Sequence, residues 1–591
     1  MFQARSFAII ILITAQMMFM GELQAQQHDH SDAYTVFSLI DDAKKSGSLS
    51  LDESILQKFY AGYQTDLLSR EFQQESEYVA VKCMVPVMQE YMSVKEELTA
   101  VTRNQIGAML EGSRVSTEFS YIPPSGNFVF HYDTTGTHAI PAAQTIPGAE
   151  EQNIPDYIYH AAFAADSSYR YQVGKLGFTD FVRGTPYEIG FRNFGFYGTT
   201  TVSGSTTFIT IHSNFNGFPP NTHPKGNQIG ALYVTMAHEI KHAIQYAANR
   251  WRGSAGTFNW IEMDATMMEE IVHDDVNDYY NYLFDPRFPN QPSSSSIFGS
   301  PQNPTPGAYW HITWMLYFAE EFGMPFWVDV WEDIRAEPLI NFADAIDGQL
   351  LQRGERLSSA HLKNHLWHLG SGEQFIPADF GFRERQFYPN ASISSELMSV
   401  PDSIFNTGLR PLAANYIRAD APIMSIGQPG IRIEATVPGV GIGLIGIFKD
   451  GTARKLSAVN ENSATGLIQT PWNWGNLSEL KIAVVNTNRT RTADYTLTLE
   501  SILPEEDILT QNYPNPFNPT TRIEFSLNSR KDVRIDIYDA VGRRVSTLLN
   551  QTLGKGFHFV DFDGSNLASG AYFYRIITDQ TVTTNKMMLI K

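Results

Sequence analysis

The sequence predicts a multidomain α+β protein, and three observations carry that reading. Its 591 residues are several times the ~100–200 of one domain. Helical text gives way to extended text at about residue 117, returns near 229, and yields to extended text again near 395. Hydrophobic residues make up 43% and charged residues 18%, with 38 Phe and 27 Tyr, which suits large apolar cores and excludes disorder or a coiled coil. A net charge of −20 repels a phosphate backbone, so no nucleic-acid partner is expected.

Taken in order, residues 1–25 read as a signal peptide. Arg5 precedes a short apolar run, Phe7 to Ala15, and Ala25 stands where a small residue is needed before a cleaved bond. No later stretch approaches the ~20 apolar residues of a spanning helix, so no transmembrane helix is expected. Residues 26–116 read as a helical N-terminal region and a possible propeptide. Val36-Phe37-Ile40 and Ile55-Phe59-Tyr63 repeat at helical spacing, and Ser50-Leu-Asp-Glu53 is a capping box. Residues 117–390 form the central domain. Its first half carries the strand-like runs Phe128–Tyr132, Tyr187–Phe191 and Thr207–His212, and a long amphipathic helix follows over Ile229–Arg250. Residues 391–503 read as a β-sandwich and 504–591 as a small Ig-like β-sandwich. A monomer is expected. The single cysteine, Cys83, excludes an intramolecular disulfide.

The chemistry sits on the long helix, in His238-Glu-Ile-Lys-His242. Histidines four apart leave one helix face one turn apart, so both can reach one tetrahedral zinc ion. Glu239 lies on the same side, placed to take a proton from water without being a ligand. The alternative for these residues is a solvated helix face. Glu262, 20 positions after His242, is an available third ligand, with Glu269 and Glu270 as neighbouring candidates.

That spacing, with Trp260-Ile-Glu262-x-x-Ala265, resembles the gluzincin zinc peptidases of thermolysin and aminopeptidase type. The run His238-Glu-x-x-His-Ala-Ile-Gln245 is also similar to secreted bacterial metalloproteases with HExxHxxQ followed by a helical EGTAxxxE. The resemblance implies a thermolysin-like, gluzincin-type zinc domain with His238, His242 and Glu262 as ligands and Glu239 as the base. It also implies that Thr207–His212 is the edge strand that pairs with an extended substrate. Where the thermolysin type has an Asp to orient the first His, this chain has Thr266, leaving Asp264, Glu269 and Gln245 as options. The aminopeptidase segment Gly-x-Met-Glu-Asn has no counterpart, which favours an endopeptidase. Tyr309 is the first choice for the oxyanion stabiliser and His311 the second, against a reading of both as aromatic core.

Cys83 reads as a buried core cysteine, or, if the N-terminal region is inhibitory, as a thiolate for the open metal position. Asp274, Asp275, Asn277 and Asp278 read as a solvated acidic face, with Ca2+ as the alternative. The last unit opens with Gln511-Asn-Tyr-Pro-Asn-Pro-Phe-Asn-Pro-Thr520 and closes with Lys586-Met-Met-Leu-Ile-Lys591. It resembles the C-terminal sorting domain of the type IX (Por) secretion system, which implies that machinery as a partner and a secreted or outer-membrane surface location. The expected function is a secreted zinc-dependent metalloendopeptidase acting on polypeptides. The alternative is a surface adhesin or glycan-binding protein with a non-catalytic peptidase-like scaffold.

Overall fold

A computed structural model describes residues 36–73, 81–113, 117–141, 146, 148–253, 258–283, 309–372, 381–420, 427–503, 505–509 and 512–591. Residues 1–25, expected to be a signal peptide, lie outside the described residues. The chain divides into two compact units. The first gathers Met1–Arg170, Asp180–Ala243 and Val272–Pro289, and the second Tyr171–Thr179, Ile244–Ile271 and Asn290–Lys591.

The first unit opens with helices α1 (Val36–Lys45) and α2 (Leu51–Tyr63). The Ser50 hydroxyl accepts from the Glu53 amide while the Glu53 carboxylate accepts from the Ser50 amide at 2.8 Å, so two amides at the start of α2 are satisfied reciprocally. Helices α3 (Val85–Val94) and α4 (Ala100–Ser113) follow a three-residue strand, β1 (Val81–Cys83), which the helical pattern of this region did not announce. Strands β2 (Phe119–Tyr121), β3 (Phe128–Tyr132), β4 (Tyr187–Arg192), β5 (Phe196–Ser203) and β6 (Thr206–His212) complete a six-stranded mixed sheet in the order β1-β5-β6-β4-β3-β2. β3 alternates, with Phe128, Phe130 and Tyr132 buried, whereas β6 is buried continuously from Thr207 to His212. Continuous burial fits an interior strand, and β6 is antiparallel to β5 on one side and parallel to β4 on the other. The expectation of a free edge at Thr207–His212 is thereby corrected. The outermost strand on that side is β1, which pairs with β5. Helix α5 (Asp156–Tyr169) also belongs to this unit.

Helix α6 (Asn227–Asn249) runs unbroken, with residues 227–243 in the first unit and 244–249 in the second. Residues 230–246 are all buried, which accounts for the apolar run on either side of the two histidines.

In the second unit helices α7 (Phe258–Val272), α8 (Ile312–Phe322), α9 (Pro325–Ala336), α10 (Phe342–Gln352) and α11 (Leu357–Leu369) precede two packed sheets. One runs in the order β13 (Thr465–Gln469), β10 (Gln428–Ala435), β15 (Ala493–Ile502), β8 (Asp402–Leu409), and the other in the order β12 (Ala453–Ala458), β11 (Val440–Phe448), β14 (Leu477–Asn486), β9 (Ala414–Asp420), β7 (Ile393–Leu397). Trp472, Trp474, Tyr495 and the inward-facing Ile431, Leu444, Ile482 and Leu497 fill the space between them. A Cβ at Gly443, on the strand Val440–Phe448, would lie 2.8 Å from Leu366, so glycine there lets α11 pack directly against the strand. The C-terminal region adds a three-stranded and a four-stranded sheet over residues 508–589, closed around Phe517, Ile537, Phe562, Tyr574 and Met587.

Candidate metal centre

Helix α6 brings His238 and His242 onto one face, as a four-residue spacing requires. Their Nε2 atoms lie 3.0 Å apart, with the rings at 4.6 Å and nearly perpendicular. Two imidazole ligands of a tetrahedral zinc ion would stand ~3.3 Å apart at ordinary zinc–nitrogen distances. The pair therefore already converges on a shared point. Cys83 Sγ joins it: the three ligand atoms lie within 4.8 Å of one another, and all three residues are buried. Two imidazoles and a thiol in a buried pocket form a borderline-soft donor set that suits zinc.

Glu239 is fully buried beside them. Thr200 Oγ1, on β5, donates to the Glu239 carboxylate at 2.7 Å and approaches its backbone carbonyl at 3.0 Å. Two residues earlier on the same strand, a Cβ at Gly198 would meet Thr235 at 2.7 Å and the Glu239 carboxylate at 3.0 Å. Glycine at 198 is what allows β5 and α6 to approach closely enough for the Thr200 bond. The Tyr63 ring of α2 packs edge-on at 5.8 Å against Phe196, the first residue of β5. Burial pushes the Tyr63 phenol up to about 12, with the Cys83 and Glu239 charges adding.

In the second unit Glu262 is fully buried on α7. The last turns of α6 are tied to α7 by Gln245, whose amide donates to the Ile261 carbonyl at 3.1 Å and to Asp264 at 2.8 Å. Trp331 Nε1 donates to the same Asp264 oxygen at 2.9 Å. Of the three residues open as orienting partners, Gln245 and Asp264 thus bind each other. Thr266 bonds back to the Glu262 carbonyl at 2.7 Å.

Tyr309 and His311 form a buried 3-10 turn at the start of α8. His311 acts electrostatically on three histidines of α11, His361, His365 and His368, all buried. Trp314 donates to His361 Nδ1 at 2.9 Å, and His365 Nδ1 pairs with the Tyr416 hydroxyl at 2.9 Å. The Nε2 atoms of the three make no hydrogen bond among the described residues. Burial pushes His361 and His368 down to about 3, with the His311 charge adding. The spacing His361-x-x-x-His365 repeats that of His238 and His242 and was the signal that could have singled this group out. Of the acidic stretch considered for calcium, Asp278 is buried in an ion pair with Lys82 at 2.7 Å, and Asp274 and Asp275 are exposed.

Among known proteins, several solved structures give partial matches to this chain. PorZ of Porphyromonas gingivalis, a surface component of its type IX secretion system, is 17% identical at a TM-score of 0.12, over 18% of this chain and 15% of that one. Dimeric latent PorU of the same organism is 16% identical at a TM-score of 0.13, over 32% of this chain and 20% of that one. A β-glucuronidase of Faecalibacterium prausnitzii is 9% identical at a TM-score of 0.11, over 30% of this chain and 36% of that one. The chain spans well under two thirds of the length of each. None of the curated proteins matches it. No helix among the described residues is long and apolar enough to cross a membrane. Residues 511–591 match the secretion system C-terminal sorting domain, Por_Secre_tail, so the chain carries the tail that directs export through the type IX secretion system to the cell surface or extracellular space.

Proposed function

We propose that the exported chain is a zinc-dependent metalloendopeptidase. The observation that carries this reading is the pair of imidazole nitrogens 3.0 Å apart on one buried helix, with the intervening glutamate held by Thr200. His238 and His242 would hold the metal, with Glu262 as the third ligand and a gluzincin-like architecture around it. Supporting Glu262 are its burial on α7 and the Gln245 bridge that fastens α7 to the end of α6. Bound zinc supplies Lewis acidity and lowers the pKa of water at the site. Glu239 accepts a proton from the attacking water on its carboxylate and returns it to the leaving amine. The Thr200 hydroxyl holds that carboxylate in one orientation through both transfers. Tyr309, or His311 after it, would donate to the oxyanion.

The test is casein hydrolysis by the chain lacking residues 1–25, before and after limited proteolysis, beside Glu239→Gln with bound zinc quantified in each. Activity that falls by roughly 10²–10⁴ in the variant at unchanged zinc content is expected. Equal activity in both, or zinc in neither, sinks the reading and hands the function to the β-sandwich.

A further inference from the structure

We propose that Cys83 is a ligand of the same metal, and that the strand carrying it holds the protein latent by filling both the metal's open position and the sheet edge beside Glu239. The inference rests on the metal-centre reading and extends it to regulation. Cys83 Sγ, His238 and His242 converge within 4.8 Å, with Cys83 and His242 fully buried and His238 only 1% exposed. The register of β1 delivers the cysteine there. β1 runs parallel to β5 with Cys83 opposite Gly198, the residue whose missing side chain brings β5 against Glu239. An extended substrate binds by adding a strand to a sheet edge. On this side of the sheet that edge is already occupied by residues 81–83.

Two features hold the strand in place. Lys82, next to the cysteine, pairs with Asp278 at 2.7 Å, both 1% exposed, and its ammonium lies 5.0 and 5.1 Å from the Tyr197 and Tyr282 ring centres. Removing one partner of such a pair leaves an uncompensated buried charge, so the latch is all-or-none. Downstream, the Val85 amide, in the first turn of α3, donates to Cys83 Sγ at 3.3 Å. That contact fixes the position of the sulfur relative to the first turn of α3. Metal binding would form one sulfur–metal bond and release the thiol proton to solvent. Activation would break that bond, with water taking the vacated position.

The chain has one cysteine, so every sulfur signal belongs to it. The full chain is loaded with cobalt(II), and its near-ultraviolet thiolate-to-cobalt charge-transfer absorption is compared with that of Cys83→Ser and Cys83→Ala. Casein hydrolysis is measured on the zinc forms, with Lys82→Met as a variant that leaves the thiol intact. The proposal expects the band in the wild type and its loss in both cysteine variants. It also expects hydrolysis to rise roughly tenfold or more in the cysteine variants and in Lys82→Met, the factor that corresponds to an inhibitory contact of about 1.4 kcal/mol. Cobalt bound at the histidines with no charge-transfer band overturns the cysteine ligand and leaves the peptidase reading standing. A band whose loss brings no rise in hydrolysis, in variants shown to be folded by circular dichroism, overturns the latency. No cobalt bound in any form overturns the metal centre and this inference together.

Discussion

At the scale of single residues, the hydroxyl of Thr200 is the cheapest handle on the chemistry. It meets the Glu239 carboxylate from a strand 39 positions earlier in sequence. Thr200→Val keeps the shape and removes the donor, leaving a buried carboxylate short of one bond. The expected outcome is a lower kcat at unchanged KM and zinc content, with a stability loss of about 1–3 kcal/mol by urea denaturation. Gly198→Ala makes the complementary perturbation. Its new methyl lies 2.7 Å from Thr235, so strand and helix must separate and the Thr200 bond lengthens with them. The two histidines of α6 were legible because their relation is local: a spacing of four on a helix leaves one arrangement available. Thr200 was not legible, since nothing local distinguishes it from Thr199 or Thr201 until the helix packs on the strand.

At the scale of elements, the fastening of α6 to α7 through Gln245, Asp264 and Trp331 predicts a second outcome. Gln245→Ala leaves Asp264 with the indole donor alone of that bridge, and a loss of about 1–3 kcal/mol in chemical denaturation is expected. Helix α11 predicts a pH dependence. His361 and His368 are held neutral in the fold at about 3, against an unfolded value near 6.5, so the unfolded chain binds more protons between those values. Their contribution is complete above about pH 6.5 and is lost as pH falls toward 3, at up to about 1.4 kcal/mol per pH unit for each. Thermal unfolding at pH 7.5 and at pH 5 checks this, and replacing His361 and His368 together by glutamine flattens the difference. Periodicity reached these elements well: helix α6 and the strands at 128–132, 187–192 and 206–212 stand within a residue or two of where spacing set them. Strand order was a different matter. β6 was expected at an edge and lies inside the sheet, because beyond its hairpin with β5 its order depends on β4, a strand not joined to it by a turn, coming to lie alongside in parallel. The three residues of β1 escaped for the same reason, being strand only by virtue of β5.

At the scale of the whole molecule, the sorting tail and the unit that carries His238 and His242 set separate requirements. Deleting residues 512–591 from a chain expressed in a type IX-secreting host is expected to leave the protein in the periplasm, measured by cell fractionation. The tail was readable end to end because its signals are turn residues and alternating strands in unbroken sequence, from Asn512 through the strand Val582–Leu589. The N-terminal region was readable as helices, whereas the approach of its one thiol to the histidines was not, since they lie about 155 residues later.

That separation also bears on the order in which the molecule is made. The chain emerges from its N-terminus, and Lys82 cannot find Asp278 until 196 more residues have followed it. Contacts of such range form late and slowly. The cysteine, however, is already present when the histidines arrive, so no interval in synthesis exists in which the histidine pair has been made and its sulfur neighbour has not. Under the proposed latency, the thiol precedes the histidine pair in synthesis, while the ion pair that fixes its strand is completed only once Asp278 has followed both histidines.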